Sequence, residues 1–253
     1  MGDLQQKNLR ILSRDAIKYI AAAAMLLNHI ANVFMKPGTL WFEVFCDIGY
    51  LTAPVMCYFL VEGYQFTRSK KKYAQRLFAF AVLSQFPFYL AMGQIFSQEV
   101  GADFCGLNML FTLLICFGIL WTREQVKNIF LRYSIIGILI LCSTVCDWAV
   151  LAPVYVLLFV RAGKSESRKR KAFAIAAVLF GGLYFLGGVG TIPLSLNLLL
   201  SAGNLMGPAL AGILILFFYN GQKAKRGAGF SKWFFYVFYP VHLLVLGIIR
   251  VCL

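Results

Sequence analysis

Residues 15–34 read DAIKYIAAAAMLLNHIANVF. From Ala16 to Phe34 the stretch is apolar, except for Lys18 near its start and Asn28, His29 and Asn32 deep inside it. A helix needs about 20 such residues to cross the hydrocarbon core of a bilayer. The stretch therefore reads as a membrane span with polar groups of its own. Outward from it, further apolar runs cover 45–66, 77–93, 107–121, 132–146, 149–161, 171–188, 205–219 and 233–251. The run TIPLSLNLLL at 191–200 is too short to span. It reads as a re-entrant or interfacial segment, or as a tenth helix if Gly187–Gly190 is a break. The expected fold is all-α, a polytopic transmembrane bundle of about 9–10 helices. With no internal repeat and no linker, residues 1–253 read as a single domain.

Composition agrees. The chain has 253 residues, 60% of them hydrophobic and 13% charged, with a mean hydropathy of +0.76. A soluble domain is about 45–50% apolar and about 25% charged, and a disordered chain is less hydrophobic still. Both classes are excluded, and the spans leave no room for a separate soluble catalytic domain. Any chemistry belongs inside the bundle or at its rim. The polar opening MGDLQQKNLRILSRD does not read as a cleavable signal peptide.

The net charge is +14. Of the 24 basic residues, 22 fall in the N-terminal segment or in the loops after spans two, four, six and eight; only Lys36 and Arg250 fall on the other side. That other side holds Glu43, Asp47, Glu99, Asp103 and Asp147. The alternation follows the positive-inside rule. It predicts a multi-pass inner or plasma membrane protein with a cytoplasmic N-terminus, and it removes any need for a nucleic-acid partner. Seven cysteines show neither zinc spacing nor a secreted disulfide framework. They read as small packing residues, and no metal site is expected.

Ionisable groups inside spans are costly and usually functional or paired. His29 lies about 20 Å along its helix from the basic end. Lys18, eleven residues earlier, is three turns plus about 20° away, on the same stripe and about 16 Å distant. The pair suits an elongated ligand with its anionic head at Lys18 and its reacting end at His29. The plainer reading is that Lys18 snorkels and His29 bonds a neighbouring helix. His242 follows Pro240 in the last span, and either shares a cavity with His29 or satisfies local polar groups. Glu62 needs a cation or a proton, with Arg76 and Lys18 as candidate partners. Arg76, one turn after Tyr73, suits a phosphate; Lys70 and Lys71 read as ordinary loop charges. Asp47 and Asn108 either orient an acceptor or cap helices.

The runs DAIKYIAAAAMLLNHIANVF, IGYLTAPVMCYFLVEGYQFTRSKKKYAQRLFAFAVLSQFPFYL, LNMLFTLL and KWFFYVFYPVHLLVL resemble the TraX family. These are integral membrane proteins named for an acetylase of conjugative pilin. The family is in turn distantly similar to the membrane acyltransferase-3 group. The resemblance implies an acetyl-CoA-dependent acyltransferase, with N-acetylation of a protein or peptide favoured and a glycan as another acceptor class. It makes His29 catalytic, with Lys18 positioning it or the donor, and makes the basic stretch leading to Arg76 the counterpart of CoA-contacting arginines; together with the residue reading above, the candidates at the CoA are Lys18, Lys72, Tyr73, Arg76 and Glu62. Asn28, Asp47, Asn108 and His242 then serve the acceptor side. Two positions depart from the family pattern. Asn28 stands where the family has aspartate, and Tyr50 where it has arginine. The competing class is a proton-coupled transporter that uses His29, Glu62 and His242 as a relay. No Walker A loop, HExxH, GxSxG or Rossmann glycine pattern is present.

Overall fold

The computed structural model describes residues 10–93, 106–224 and 228–253, without the side chains of Ala228 and Lys232. Lys7, Glu99, Asp103, Lys225 and Arg226, which entered the charge pattern above, lie outside the described residues. The described residues are all-α: α1 Arg14–Phe34, α2 Leu40–Gly49, α3 Thr52–Phe66, α4 Lys70–Met92, α5 Met109–Gln125, α6 Ile129–Cys142, α7 Leu151–Ala162, α8 Glu166–Gly188, α9 Leu194–Ile213 and α10 Ala228–Cys252. Taking α2 and α3 as one broken rod, these are nine helical segments among the described residues. Five are long and apolar enough to cross a membrane: Arg14–Phe34, Leu40–Phe66, Glu166–Gly188, Leu194–Phe218 and Gly229–Cys252.

The helix ends follow from local chemistry. Ser13 caps α1 by accepting from the Ala16 N–H, and four consecutive alanines, the best helix formers, carry it forward. The second span starts at Leu40 rather than at 45 and is broken at Tyr50–Leu51. Pro54 explains the break, since its ring conflicts with the carbonyl four residues back, that of Tyr50. The short run 191–200 is neither re-entrant nor a separate helix; it is the first half of α9. The hydropathy dip that set it apart is Ser201–Asn204, and its polar residues Ser201 and Asn204, like Asn197 within the run, are buried. Asn197 donates to the Phe185 carbonyl, Ser201 to Asn197 and Asn204 to the Leu200 carbonyl. Polar groups satisfied in this way do not interrupt a membrane helix.

The chain packs as two compact units, Met1–Met56 with Arg161–Phe235, and Cys57–Val160 with Tyr236–Leu253. In the first, α8 and α9 form a close antiparallel pair. A Cβ on Gly188 would lie 2.3 Å from the Asn197 amide oxygen, one on Gly181 3.0 Å from the Ser201 carbonyl, and one on Gly212 3.0 Å from Phe173 Cβ. Small residues permit this approach in the membrane, where packing rather than the hydrophobic effect holds helices together. Gly203 and Gly207 of α9 receive the last turn of α2 in the same way. The segment before α1 is tied to the π-helical stretch Leu214–Phe218 that follows α9 and to the start of α8: Leu12 N–H donates to the Phe218 carbonyl, and Arg10 donates to the Leu216 carbonyl and pairs with Glu166.

In the second unit, α4 and α5 are clamped through Gln85 and Asn108. Arg250 of α10 donates to the Ala91 and Gly93 carbonyls at 2.8 and 2.7 Å, closing the C-terminal end of α4. Glu124 accepts from both Tyr64 and Lys70, joining the ends of α3 and α5 to the start of α4.

Candidate functional site

In the first unit α1 is unbroken between Lys18 and His29. The stripe read from the sequence is therefore real, and its ends are about 16 Å apart. His29 is buried. Its neighbour Asn28 does not turn toward it. The Asn28 amide donates to the Cys46 carbonyl at 3.4 Å and accepts from Asn32 at 3.1 Å. Asn32 also donates to the Asn28 carbonyl. Both amides are thus spent on the crossing of α1 and α2, which Gly49 makes possible by leaving room for the Asn28 side chain. Thr52 extends the seam by donating to the Ala21 carbonyl.

Asp47 lies in the last turn of α2, so the helix-capping explanation open from the sequence does not hold. A carboxylate at this end opposes the helix dipole, and Glu43 one turn earlier adds like charge. The half-buried Asp47 side chain rests on Gly203, where an added Cβ would lie 2.3 Å from its carboxylate oxygen. Tyr50 follows, its ring edge-on to Phe180 and its hydroxyl 2.9 Å from that of Tyr184. An arginine here would lose that hydroxyl pair.

At its other end α1 meets the start of α10. The Lys18 ammonium lies over the Phe235 ring, 5.3 Å from its centroid. Tyr19 packs against Phe234 and Phe235 and shares a hydrogen bond with Ser231 at 3.0 Å.

The remaining candidates belong to the second unit. Lys72, Tyr73 and Arg76 occupy the first two turns of α4, whose cap is Ser69. Arg76 lies over the Tyr73 ring, and its enclosed Nε has no hydrogen-bond acceptor among the described residues. Glu62 of α3 is half-buried, with one carboxylate oxygen enclosed. Asn108 caps α5 by accepting from the Leu110 N–H, and its amide donates to the Ala81 carbonyl and to Gln85. With these bonds both ends of its side chain are engaged. His242 donates from Nδ1 to the Phe238 carbonyl at 2.7 Å and stacks on the Phe238 ring. Among the described residues no group of three His, Cys, Asp or Glu is placed to hold a metal ion. The six described cysteines are free thiols.

The sequence reading missed Phe235, Ser231, Tyr184, Gly203 and Gly207. Of these, Gly203 and Gly207 carried a legible signal, a GxxxG spacing inside an apolar helix. The others became visible only through contacts between helices distant in sequence.

The model of the TraX protein family matches residues 13–250. The chain is also 33% identical over 236 residues to a Dichelobacter nodosus protein named probable fimbrial assembly protein FimC, serogroup H1, a match covering 91% of this chain and 92% of that one. No solved structure matches it. The chain belongs to the TraX family.

Proposed function

We propose that this TraX protein is a membrane acetyltransferase, moving an acetyl group from acetyl-CoA to an amine or hydroxyl of a membrane-associated or exported acceptor. The observation that carries the reading is on α1: a buried histidine stands about 16 Å from a lysine on one unbroken helical stripe. A neutral imidazole removed from bulk water is a competent general base. His29 takes the proton from the acceptor N–H or O–H as that atom attacks the thioester carbonyl. The carbon–sulfur bond then breaks, and the CoA thiolate leaves with the proton that His29 returns. The products are the acetylated acceptor and CoA. Lys18, at the basic end of α1, receives an anionic part of the donor.

The donor assignment on α4 rests on its own observation. Three lysines at the positive end of a helix are electrostatically costly. Glu124 neutralises Lys70, which leaves Lys71 and Lys72 at that end; of the two, Lys72, together with the enclosed Arg76 Nε, is assigned to a phosphate. The distribution of basic residues supports a donor arriving from the cytoplasmic side. The Dichelobacter relative is named for fimbrial assembly, so an exported pilus subunit is the acceptor to test first.

The test uses membranes containing the full chain, radiolabelled acetyl-CoA and envelope protein, with label transfer as the readout. Wild type transfers label, and His29→Ala does not. Transfer by His29→Ala at the wild-type rate overturns the mechanism. Purified protein is stabilised by acetyl-CoA more than by ATP, and Arg76→Ala weakens that stabilisation. Equal stabilisation by ATP reduces the donor site to bulk electrostatics.

A further inference from the structure

We infer that Phe235 is a positioning residue for Lys18, and that the aromatic start of α10 fixes where the donor's anionic head is received. The inference rests on the role proposed for Lys18 above. A lysine near a membrane boundary normally has a long, mobile stem that lets its charge wander to water. Lys18 is held otherwise. It is half-buried, and its ammonium lies over one face of the Phe235 ring at 5.3 Å. A ring face carries negative quadrupole density and attracts a cation most strongly where both are desolvated.

The ring itself is fixed from a second side. Tyr19, the residue after Lys18, packs at 5.0 Å on Phe234 and 4.8 Å on Phe235. Its hydroxyl meets Ser231 one turn back along α10. Phe234 is in turn edge-on to Phe235 at 5.3 Å. Two successive residues of α1 thus dock on one aromatic surface, which orders the Lys18 stem. Ordering the charge before the ligand arrives removes an entropic cost from binding.

The test measures acetyl-CoA binding to the full-length protein in nanodiscs, beside thermal stability without ligand. The variants are Phe235→Leu, Phe235→Trp, Lys18→Ala and the Lys18→Ala/Phe235→Leu double variant. A fifth protein carries a ring-fluorinated phenylalanine at position 235, which keeps the shape and withdraws the π density. Phe235→Leu and the fluorinated ring weaken binding about tenfold, equivalent to about 1.4 kcal/mol. Phe235→Trp binds at least as well as wild type. The double variant binds no worse than Lys18→Ala. Wild-type affinity in the fluorinated protein overturns the inference, and so does full additivity of Phe235→Leu with Lys18→Ala. If wild type itself fails to bind acetyl-CoA, the donor reading falls and this inference with it. If wild type binds and only the position 235 variants are silent, this inference alone falls.

Discussion

Replacing Gly49 by alanine tests how α1 is held against α2. The added Cβ would lie 2.2 Å from Asn28 Cβ and 2.9 Å from its Cγ and Nδ2. Asn28 Cβ is fixed directly to the backbone of α1, so no rotamer change relieves the clash. The helices must part until the contact opens from 2.2 Å to at least 3.4 Å, where ordinary packing begins. Such overpacking costs about 1–3 kcal/mol. The movement also stretches the Asn28–Cys46 bond, already 3.4 Å long, and the Thr52–Ala21 bond at 3.0 Å, each contributing about 0.5–1.5 kcal/mol. The total is about 2–6 kcal/mol. At about 2–4 °C per kcal/mol for a chain of this size, Tm in detergent falls by at least about 4 °C and by up to about 24 °C. Gly187→Ala is the control. Nothing lies within 4 Å of a Cβ there, and alanine gains up to about 1 kcal/mol of helix propensity, so Tm holds or rises. Adding Asn28→Gly to Gly49→Ala removes the clashing atom and recovers part of the loss, a non-additivity visible in a double-mutant cycle. A Gly49→Ala protein melting within about 2 °C of wild type would refute the described crossing of α1 and α2.

Other outcomes follow from named contacts. Gly203→Ala meets the movable tip of the Asp47 carboxylate, whereas Gly207→Ala meets the Asp47 carbonyl at 2.8 Å and Tyr50 Cβ at 2.5 Å. Thermal melts therefore show the second variant to be the less stable by about 1–3 kcal/mol, and equal melts would contradict the seating of α2. Arg250→Gln removes two charge-assisted bonds to the end of α4 and costs about 2–4 kcal/mol, read as a lower Tm; an unchanged Tm would leave the cap without energetic weight. Bonds from Lys70 and Tyr64 hold the Glu124 carboxyl below its ordinary value of 4.5. A lowered carboxyl stabilises the fold above its unfolded value and loses that contribution as pH falls through the folded one. Glu124→Gln thus lowers Tm at pH 7, and the gap closes in acid below pH 4.5; a gap that stays constant with pH would exclude the ion pair as its cause.

Fold class was legible because a membrane helix states itself locally. Runs of apolar residues, with basic residues gathered in alternate loops, need no partner to be read. Two boundaries misled for identifiable reasons. The dip at Ser201–Asn204 looked like a break until the buried polar groups proved to be bonded within α8 and α9. Pro54 is visible in the sequence, yet its effect falls four residues back at Tyr50, inside what reads as one apolar run.

By itself the sequence determined that the chain is a polytopic helical membrane protein, and that Lys18 and His29 share a stripe. Helical periodicity settles both, since it depends only on residues close in the chain. The tertiary structure decided what those residues face. It turned Asn28 and Asn32 to α2 rather than to His29, set the Asp47 carboxylate on Gly203, paired Tyr50 with Tyr184 and laid Lys18 on Phe235. Each of these contacts joins helices separated by loops or by most of the chain. The closeness of each approach depends on a missing Cβ or on an aromatic face supplied from elsewhere in the sequence.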